Sequence, residues 1–356
     1  MRALIAMSGG VDSSVAAALM IEKGYECIGA TMKLYDNGEN ASDKPSGSAD
    51  DIADAKAVAD RLNMPHYVLD FQDDFKCKVM DRFVESYLKG ITPNPCIECN
   101  RHLKFKQLYN KAKELDCDVI VTGHYARIEQ DNDSGRYVLK KAVDISKDQS
   151  YVLYNLTQEQ LAHTVFPLGE YTKEEIRSIA EEKGFINARK HDSQDICFIP
   201  DGNYKRFIEE YANKTCPEGD FVDVKGNVLG THTGICNYTI GQRKGLGISS
   251  TAPLYVKDID VVNNKVVLSD NDSLFSNELV ANDFNWVAIP KPENTDGIRV
   301  DGKIRYRHNP ESAVCIDEGD RVRVIFDKPQ RAITCGQAVV LYDGDAVIGG
   351  GTIIEK

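Results

Sequence analysis

The first 24 residues place a glycine- and serine-rich turn between a short apolar run and a run of strong helix formers. The apolar run covers residues 3–6, the turn reads SGGVDSS over 8–14, and the helical run ends at Gly24, where a C-cap glycine is expected. Such a turn forms an anion site, because backbone N–H groups point outward at a helix start and the helix dipole is positive there. The turn has neither the Gly-Lys-Ser/Thr ending of a Walker loop nor the spacing of a dinucleotide fingerprint. The sequence therefore predicts a phosphate site in an α/β domain.

Apolar runs and helical segments alternate over residues 2–125, which predicts a parallel sheet covered by helices on both faces. The predicted strands are 3–6, 26–32, 66–70 and 118–122, and the predicted helices are 13–23, 50–62, 74–88, 102–115, 158–163 and 172–183. The polar, turn-rich segment 36–49 is interpreted as a mobile loop and a candidate lid.

The texture of the chain changes after about residue 200. Glycine-rich short segments occupy 202–250, and alternating apolar runs follow to residue 354. The alternation predicts an antiparallel barrel or sandwich, with a hairpin turn at Asp343-Gly344. For 356 residues, two or three domains are expected. We place them at 1–200, 201–252 and 253–356.

The net charge of −12 argues mildly against a nucleic-acid partner, but the charge is segregated. Residues 36–74 hold ten Asp/Glu against three Lys/Arg, whereas residues 94–113 hold five Lys/Arg against one Glu. An acidic protein can therefore still carry a basic face. There is no apolar run long enough for a membrane span, and no signal peptide precedes the turn. We expect a cytoplasmic protein without a membrane partner.

Three of the ten cysteines stand in unusual surroundings. Cys96 and Cys99 lie in TPNPCIECN, where two prolines rigidify a loop just before a basic helix predicted from residue 102. The nearby Arg101, Lys104 and Lys106 predict a lowered thiol pKa and hence a nucleophile. A zinc site is disfavoured, because no second C-x-x-C or paired histidines appear. Cys197, in the apolar run ICFI, is a second candidate or a core residue. The remaining cysteines are interpreted as small buried hydrophobes or free thiols: Cys27, Cys77, Cys117, Cys216, Cys236, Cys315 and Cys335.

The turn at 8–13 resembles the PP-loop of the N-type ATP pyrophosphatases, which release pyrophosphate from ATP to activate an oxygen as an adenylate. Further distinctive stretches extend along the chain: MSGGVDSSVAA (7–17), TPNPCIECNRHLKF (92–105), TGHYAR (122–127), KDQSY (147–151), DSQDICFIPDG (193–202), YTIGQRKGLGI (238–248), KIRYRH (303–308), GQAVVLYDG (336–344) and GGGTI (349–353). Through these stretches the whole chain resembles the tRNA-specific 2-thiouridylases. The resemblance implies a parallel-sheet PP-loop domain (adenine nucleotide alpha hydrolase-like), a small α+β central domain that binds tRNA and a C-terminal antiparallel β-barrel.

The resemblance also implies a reaction. ATP adenylates the C2 oxygen of uridine 34 in the tRNA anticodon loop, and sulfur from a cysteine persulfide replaces that oxygen. Cys197 carries the persulfide, Cys99 is the nucleophile or resolving thiol, and a disulfide between them forms transiently. Asp12 helps to hold Mg²⁺ against the pyrophosphate. A sulfur-relay protein or a cysteine desulfurase supplies the persulfide.

The remaining site residues carry over by position. ATP is surrounded by Ala6, Met7, Ser8, Gly9, Gly10, Val11, Asp12, Ser13, Met32 and Gly123. The flipped uridine is bordered by Asn94, Pro95 and Cys96. The tRNA contacts are His124, Lys147, Asp148, Gln149, Arg305, Tyr306 and Gln337. Each tRNA contact has an ordinary structural alternative, such as a satisfied histidine for His124 or a barrel-core tyrosine for Tyr306.

Three alternatives stay open at this point. Cys96 stands where some relatives have Asp, so Cys96, Cys99 and Cys197 could instead hold an iron–sulfur cluster with one open iron site. A small-molecule synthetase or amidating enzyme with the same loop would explain the acidic composition but not the thiols or the C-terminal strands. A non-catalytic RNA-binding protein is disfavoured by the intact PP-loop.

Cys335 departs from a proline found in many relatives and is interpreted as a substitution in a turn.

Overall fold

The computed structural model describes residues 1–35, 48–190, 196–292 and 296–356. The candidate lid at 36–49 lies outside these residues except for its last two positions. Five residues of the stretch that leads to Cys197, 191–195, also lie outside them.

The N-terminal domain is built on a parallel sheet of five strands. Their order across the sheet is His66–Asp70, Glu26–Lys33, Arg2–Ala6, Val119–Val121 and Thr164–Val165. The four predicted strands are confirmed, and the fifth, of two residues, was not predicted. Since the chain adds strands first on one side of Arg2–Ala6 and then on the other, the strand order reverses there. The turn that follows this strand therefore lies at a topological switch point, where α/β sheets bind ligands.

Helices pack on both faces of this sheet. The helical segments are Val11–Glu22, Ala49–Arg61, Gln72–Phe75, Lys76–Met80, Asp81–Leu88, Pro95–Cys99, Asn100–Gln107, Leu108–Glu114, Gln158–Ala162, Lys173–Glu182 and Tyr204–Ala212, with 3₁₀ turns at Ser150–Val152, Ile235–Asn237 and Asp272–Leu274. Two of the predicted helices begin earlier than expected, so that the first covers 72–88 and the second 95–114. Each contains a π-helical stretch, at Lys76–Met80 and at Asn100–Gln107.

The prediction that a proline-rich loop presents the two thiols of TPNPCIECN is wrong. A helix begins at Pro95, where proline is well suited to the first helical position. The Asn94 side chain caps this helix by accepting a hydrogen bond from the Cys96 N–H at 3.2 Å. Cys96 and Cys99 therefore lie in the opening turns of a helix that runs on to Glu114.

The middle sheet has four strands, in the order Tyr255–Asp260, Lys265–Ser269, Gly219–Asp223 and Val228–His232. The first two of these strands follow residue 252, where we place the end of the middle domain from sequence. They nevertheless pair with the strands of the middle domain rather than with the barrel. The domain limits 1–200, 201–252 and 253–356 stay a prediction.

The C-terminal strands close into a six-stranded antiparallel barrel, as predicted. In order around the barrel they are Phe275–Trp286, Arg321–Arg331, Glu311–Asp317, Ile298–Lys303, Ala338–Asp343 and Ala346–Glu355, and the last pairs with the first. The hairpin at Asp343-Gly344 is confirmed, with Gly344 at φ +56°.

The barrel is tied to the first domain through buried contacts. Two strands of the first domain, Arg127–Gln130 and Tyr137–Lys140, extend the barrel sheet, with Lys140 paired to Ala346. The fully buried Tyr151 donates a hydrogen bond to the Ala338 carbonyl oxygen at 2.8 Å. These contacts fix side chains of the barrel beside the carboxyl end of the parallel sheet.

The structure joins Cys216 and Cys236 in a disulfide, so the interpretation of these two as unpaired cysteines is wrong. Gly234, at φ +111°, allows the approach, since a Cβ there would lie 2.6 Å from the Cys216 Cβ. The two cysteines are 20 residues apart in sequence, and only the tertiary packing brings them together. The other eight cysteines form no disulfide within the described residues.

No helix within the described residues is both long enough and apolar enough to cross a lipid bilayer.

Candidate active site

A cavity of about 990 Å³ lies at the carboxyl end of the parallel sheet and extends to the barrel. It collects most of the residues singled out from sequence: Ala6, Met7, Ser8, Gly10, Val11, Asp12, Ser13, Met32, Pro95, Cys96, Cys99, Gly123, His124, Lys147, Asp148, Gln149, Cys197 and Tyr306. The four remaining candidates, Gly9, Asn94, Arg305 and Gln337, are not part of its lining.

The PP-loop turn forms one wall of the cavity. The helix Val11–Glu22 starts at Gly10 without a side-chain cap, which leaves backbone donors of its first turn available to an anion. The Ser13 hydroxyl instead ties the turn together, donating to the Gly10 carbonyl oxygen at 3.0 Å and accepting from the Ser8 N–H at 3.2 Å. Gly123 lies so close that a Cβ there would be 2.9 Å from the Ser13 nitrogen. The turn is therefore preorganised for a phosphate.

Gly9 supports the turn on the side that faces the helix Ala49–Arg61. It adopts φ +72°, and a Cβ on it would lie 2.4 Å from the Asp51 carbonyl oxygen. The Gly9 carbonyl oxygen accepts hydrogen bonds from the Asn187 amide at 3.0 Å and from Lys190 Nζ at 3.2 Å. Gly9 thus fixes the position of the loop against the neighbouring helix.

The cavity is basic although the protein is acidic. Seven Lys/Arg and four Asp side chains line it: Lys104, Lys141, Lys147, Lys173, Lys190, Lys303 and Arg307, with Asp12, Asp51, Asp148 and Asp345. Of the basic residues at 94–113 that were singled out from sequence, only Lys104 lines the cavity, and the other six cations come from elsewhere in the chain.

Sequence reasoning missed two lysines beside the PP-loop. Lys173 Nζ lies 2.7 and 2.9 Å from the two carboxylate oxygens of Asp12. Lys190 Nζ lies 2.7 Å from both Asp51 and Asp54. Lys173 did carry a sequence signal, because a lysine in the first turn of a helix, here the one predicted over 172–183, opposes the helix dipole.

The three cysteines line the opposite part of the cavity. Cys99 is buried, Cys197 is half-buried and Cys96 is exposed. Burial raises the pKa of the Cys99 thiol, and it raises the pKa of Cys197 far above the ordinary thiol value. The prediction of a lowered thiol pKa is therefore wrong for Cys99, because desolvation outweighs the nearby positive charge. Electrostatic repulsion from Cys99 and Cys96 raises the pKa of Cys197 further.

Lys104 is the cation that acts on these sulfurs, lowering the pKa of both Cys99 and Cys197. His124 lies beside it, with Nε2 3.4 Å from Lys104 Nζ and Nδ1 2.6 Å from the Thr122 hydroxyl. Burial holds the pKa of His124 well below its ordinary value, so the ring is neutral. Nε2 then accepts from Lys104, Nδ1 donates to Thr122, and His124 positions the lysine.

The candidate tRNA contacts divide into two groups. Lys147 and Tyr306 present their side chains to the cavity. Asp148, although it lines the cavity, accepts hydrogen bonds from the backbone N–H groups of Ala142 and Ser150 at 3.1 and 3.2 Å. In the same way the Gln149 carbonyl group accepts from the Tyr125 N–H at 3.0 Å. Asp148 and Gln149 therefore shape the turn that presents Lys147.

Arg305 and Gln337 also bind backbone. The Arg305 guanidinium donates to the carbonyl oxygens of Arg331 and Ala332 within the barrel domain. The Gln337 amide donates to the Thr92 carbonyl oxygen at 3.0 Å, and so fixes the segment that leads into the cysteine helix.

Across the described ranges, no three His, Cys, Asp or Glu side chains come together as a group that could hold a metal ion. The three cysteines share the cavity without forming such a group.

Comparison with known proteins covers the whole chain. Three family models match in order: "tRNA methyl transferase HUP domain" over residues 1–201, "tRNA methyl transferase PRC-barrel domain" over 205–270 and "Aminomethyltransferase beta-barrel domain" over 276–353. The chain is 51% identical to the tRNA-specific 2-thiouridylase MnmA of Clostridioides difficile, covering 100% of this chain and 98% of that protein. It is 51% identical to the protein of the same name from Acetivibrio thermocellus, with 99% of each chain covered. This similarity extends through the PP-loop, the cysteine helix and the barrel, and the chain belongs to the tRNA-specific 2-thiouridylase family.

Proposed function

We propose that this protein is an ATP-dependent tRNA sulfurtransferase that converts uridine 34 of the anticodon into 2-thiouridine. The observation that carries the proposal is the single cavity that joins the PP-loop turn to Cys99 and Cys197. Adenylation and sulfur transfer act on the same carbon, so both sets of groups must reach one base. Membership of the 2-thiouridylase family supports the same substrate.

The first step is activation of the uracil C2 oxygen. Backbone N–H groups at the start of the helix Val11–Glu22 bind the phosphates of ATP, and Ser8 and Ser13 hold the turn in shape. Met32 and Gly123 border the nucleotide at the ends of neighbouring strands. Attack of the C2 oxygen on the α-phosphorus forms an adenylate and releases pyrophosphate.

The second step is sulfur transfer. The terminal sulfur of a persulfide on Cys197 bonds to C2, and AMP leaves with the former C2 oxygen. The Cys99 thiolate then attacks Cys197 Sγ and breaks the sulfur–sulfur bond, whose electrons remain on the sulfur now held by uridine. The products are 2-thiouridine and a Cys99–Cys197 disulfide, which an external thiol reduces. The apolar surroundings of Cys197, in a cluster with Phe75 and Phe198, protect the persulfide from water.

Base binding and tRNA docking complete the proposal. Pro95 and Cys96 border the flipped base, with Asn94 capping the helix that carries them. Lys147 binds backbone phosphate, and Tyr306, 37% exposed, offers a ring for stacking. A sulfur-relay protein or a cysteine desulfurase supplies the persulfide, and the reaction takes place in the cytoplasm.

The expected Mg²⁺ site on Asp12 does not fit this structure. Both carboxylate oxygens of Asp12 already contact Lys173 Nζ, and Oδ1 also accepts a hydrogen bond from the Tyr125 hydroxyl at 2.8 Å. No step of the mechanism is therefore assigned to a metal on this chain.

A tRNA thiolation assay tests the function. Purified protein is incubated with unmodified tRNA, ATP and a persulfide donor, and the tRNA is run on a mercury-containing gel that retards thiolated species. We expect a shifted band that requires all three additions, together with pyrophosphate release that depends on tRNA.

The competing class is a small-molecule synthetase with the same loop. Pyrophosphate release that amino acids or free nucleotides stimulate, and that tRNA does not, would replace the proposed function with that one.

A further inference from the structure

A second pair of cysteines lies in the same apolar cluster as the reaction thiols. Cys216 and Cys236 are 5% and 1% exposed, and their disulfide shares this cluster with Cys99, while Cys197 packs against it. The proposed mechanism uses neither of these two sulfurs. In a reducing compartment, a disulfide that forms is usually catalytic or redox-sensing. Its place beside the sulfur end therefore points to a redox role in the reaction.

The disulfide joins a helix end to a turn. Cys216 follows the helix Tyr204–Ala212, and Cys236 lies in the 3₁₀ turn Ile235–Asn237. The Cys216 N–H also donates to Glu209 Oε1 on the same helix at 3.0 Å. The end of the helix therefore cannot move away from the turn while the disulfide is intact.

This helix covers the residue next to Cys197. The ring centroids of Phe207 and Phe198 are 5.2 Å apart, and Phe198 meets Phe83 edge to face at 5.3 Å. Phe198 directly follows Cys197 in the chain, and Ile208 of the helix is completely buried in the same cluster. The position of the helix therefore determines how tightly the wall behind Cys197 is closed.

Other contacts of the helix are polar and open reversibly. Lys205 Nζ donates to the Thr233 carbonyl oxygen at 3.0 Å, and the Tyr211 hydroxyl donates to Asp81 Oδ1 at 2.6 Å. Contacts of this kind break and re-form in local opening of a folded protein. Reduction of the disulfide would therefore let the helix end open without unfolding the domain.

Cys216 lies where an external thiol can reach it after a small movement. It belongs to the segment 213–218, which follows the helix and is neither helical nor extended into a strand, and it is the one buried residue of these six. Because its neighbours on both sides are exposed, a local displacement of this segment presents Cys216 Sγ to solvent. Thiol–disulfide exchange requires such access.

The supply of sulfur gives this opening a purpose. The cavity reaches Cys197 from the side where uridine is proposed to bind. Behind Cys197 the wall is closed by aromatic residues of the cluster, among them Phe75 and Phe198. Opening this wall gives a donor protein a route to Cys197 that does not compete with tRNA.

We propose that the Cys216–Cys236 disulfide is a redox switch that controls access to Cys197. The oxidised form keeps the wall behind Cys197 closed, and reduction by an external thiol opens it to the persulfide donor. This inference rests on the proposed function, in which Cys197 carries the persulfide.

The switch operates by two thiol–disulfide exchanges. An external thiolate bonds to Cys216 Sγ, the bond to Cys236 breaks, and its electron pair stays on Cys236 Sγ, which takes a proton. A second external thiolate attacks the external sulfur of this mixed disulfide and releases Cys216, which is protonated in turn. The protein has then gained two electrons and two protons, and two external thiols have become one small-molecule disulfide.

The test measures the reactivity of Cys197 with the disulfide present and absent. The full-length parent protein carries Cys96→Ser and Cys99→Ser, which removes the two cavity cysteines that could otherwise pair with Cys197. It is compared with the same protein carrying Cys216→Ser and Cys236→Ser in addition. Both proteins are equilibrated with oxidised or with reduced glutathione and then freed of it.

Iodoacetamide is then added, and mass spectrometry of the peptides follows the alkylation of each cysteine. Cys27 and Cys315 serve as internal controls, because each is buried in a different cluster. A Cys197 that carries glutathione is recognised by its mass and counted separately.

In the parent protein, reduction should speed the alkylation of Cys197 by about tenfold or more, because opening of the helix end no longer requires a covalent bond to break. The protein without Cys216 and Cys236 should react at the fast rate after either treatment. Cys27 and Cys315 should change by less than about twofold. If the protein without the two cysteines does not fold, the oxidised and reduced forms of the parent still give the comparison.

Equal alkylation of Cys197 in the oxidised and reduced parent would overturn the inference, as would free thiols at Cys216 and Cys236 after treatment with oxidised glutathione. Acceleration of Cys27 and Cys315 together with Cys197 would make the disulfide a general stabiliser of the fold and also overturn it. None of these measurements involves tRNA. A protein that shows the switch but thiolates no tRNA would therefore reject the proposed function alone.

Discussion

The two ends of the cavity differ in the side chains that line them. At the phosphate end, lysines are held by carboxylates, as in the pairs of Lys173 with Asp12 and Lys190 with Asp51. At the sulfur end, Cys99 and Cys197 lie in an apolar cluster with Phe75, and Lys104 supplies the positive charge. Lysines that carboxylates hold in fixed positions can bind a polyanion without rearranging. An apolar surrounding, in contrast, keeps thiols protonated and inert.

The difference matches the demands of two chemical steps. Adenylation develops negative charge on a leaving group, which preorganised cations stabilise. Sulfur transfer requires a reactive sulfur to survive until the activated base arrives, which burial favours. One cavity can serve both steps only if the two ends stay chemically distinct. A substitution at one end should therefore abolish the step that takes place there and leave the step at the other end intact.

Loss of the sulfur end should have the largest effect. Replacing Cys99 or Cys197 by Ser should reduce tRNA thiolation by about 100-fold or more, because a hydroxyl can neither carry nor resolve a persulfide. Pyrophosphate release with tRNA should stay within about threefold of the wild-type rate, since the PP-loop is intact. The measurement is the mercury gel beside a pyrophosphate assay on the same samples.

The control for this pair is Cys77→Ser. Cys77 is exposed and does not line the cavity, so both activities should be unchanged. Parallel loss of thiolation and pyrophosphate release in the Cys99 and Cys197 variants would show that the two ends do not act separately.

Cys96 distinguishes a persulfide from an iron–sulfur cluster. It is exposed, whereas Cys99 is buried, so in the persulfide mechanism Cys96→Ala should keep thiolation within about tenfold of wild type. In the cluster mechanism all three thiolates are ligands, and losing one removes iron and activity together. Anaerobic purification followed by iron quantitation on wild type and Cys96→Ala distinguishes the two mechanisms. Stoichiometric iron in the wild type that disappears with activity in the variant would replace the persulfide mechanism.

The pH dependence should also separate the ends. Burial raises the pKa of Cys99, so the reactive thiolate is scarce at pH 7 and its fraction grows about tenfold per pH unit below that pKa. Single-turnover sulfur transfer should therefore accelerate about 30-fold from pH 7.0 to 8.5. Pyrophosphate release should change much less over that interval.

Lys104→Met extends the same prediction. Removing the cation that lowers the pKa of both thiols should shift the sulfur-transfer profile to higher pH. A profile that stays in place would remove Lys104 from the sulfur end.

The parts that sequence predicted well depend on local pattern. The first strand, the SGGVDSS turn and the following helix are adjacent in the chain, so their hydrogen bonds and glycine conformations are encoded within a few residues. Alternating apolar runs likewise predicted the barrel, and the Asp343-Gly344 step predicted its last hairpin.

The parts that sequence missed depend on distant contacts. Lys173 meets Asp12 from 161 residues away. Cys216, in the segment that follows the helix Tyr204–Ala212, meets Cys236 in a 3₁₀ turn 20 residues later. The pKa of Cys99 was predicted in the wrong direction, because the neighbouring basic residues are visible in sequence and the burial is not. Charge is a property of the residue, whereas desolvation is a property of the fold.

The smallest expected effect concerns the residue between the two ends. His124 is buried and neutral, with its pKa well below the ordinary value of 6.5. The unfolded chain therefore binds a proton near pH 6.5 that the folded chain does not, and the stabilising contribution present above that pH is lost as the pH falls toward the folded pKa. Between pH 7.0 and 5.5 this linkage lowers the free energy of unfolding by about 1 kcal/mol.

His124→Gln keeps an acceptor for Lys104 without titrating. The free energy of unfolding of this variant, measured with urea, should therefore fall by about 1 kcal/mol less over the same interval. The other histidines are common to both proteins and cancel in the difference. Identical pH dependence in the two proteins would mean that folding does not lower the pKa of His124, and Lys104 would then lose, as the ring titrates, the acceptor that holds it beside the thiols.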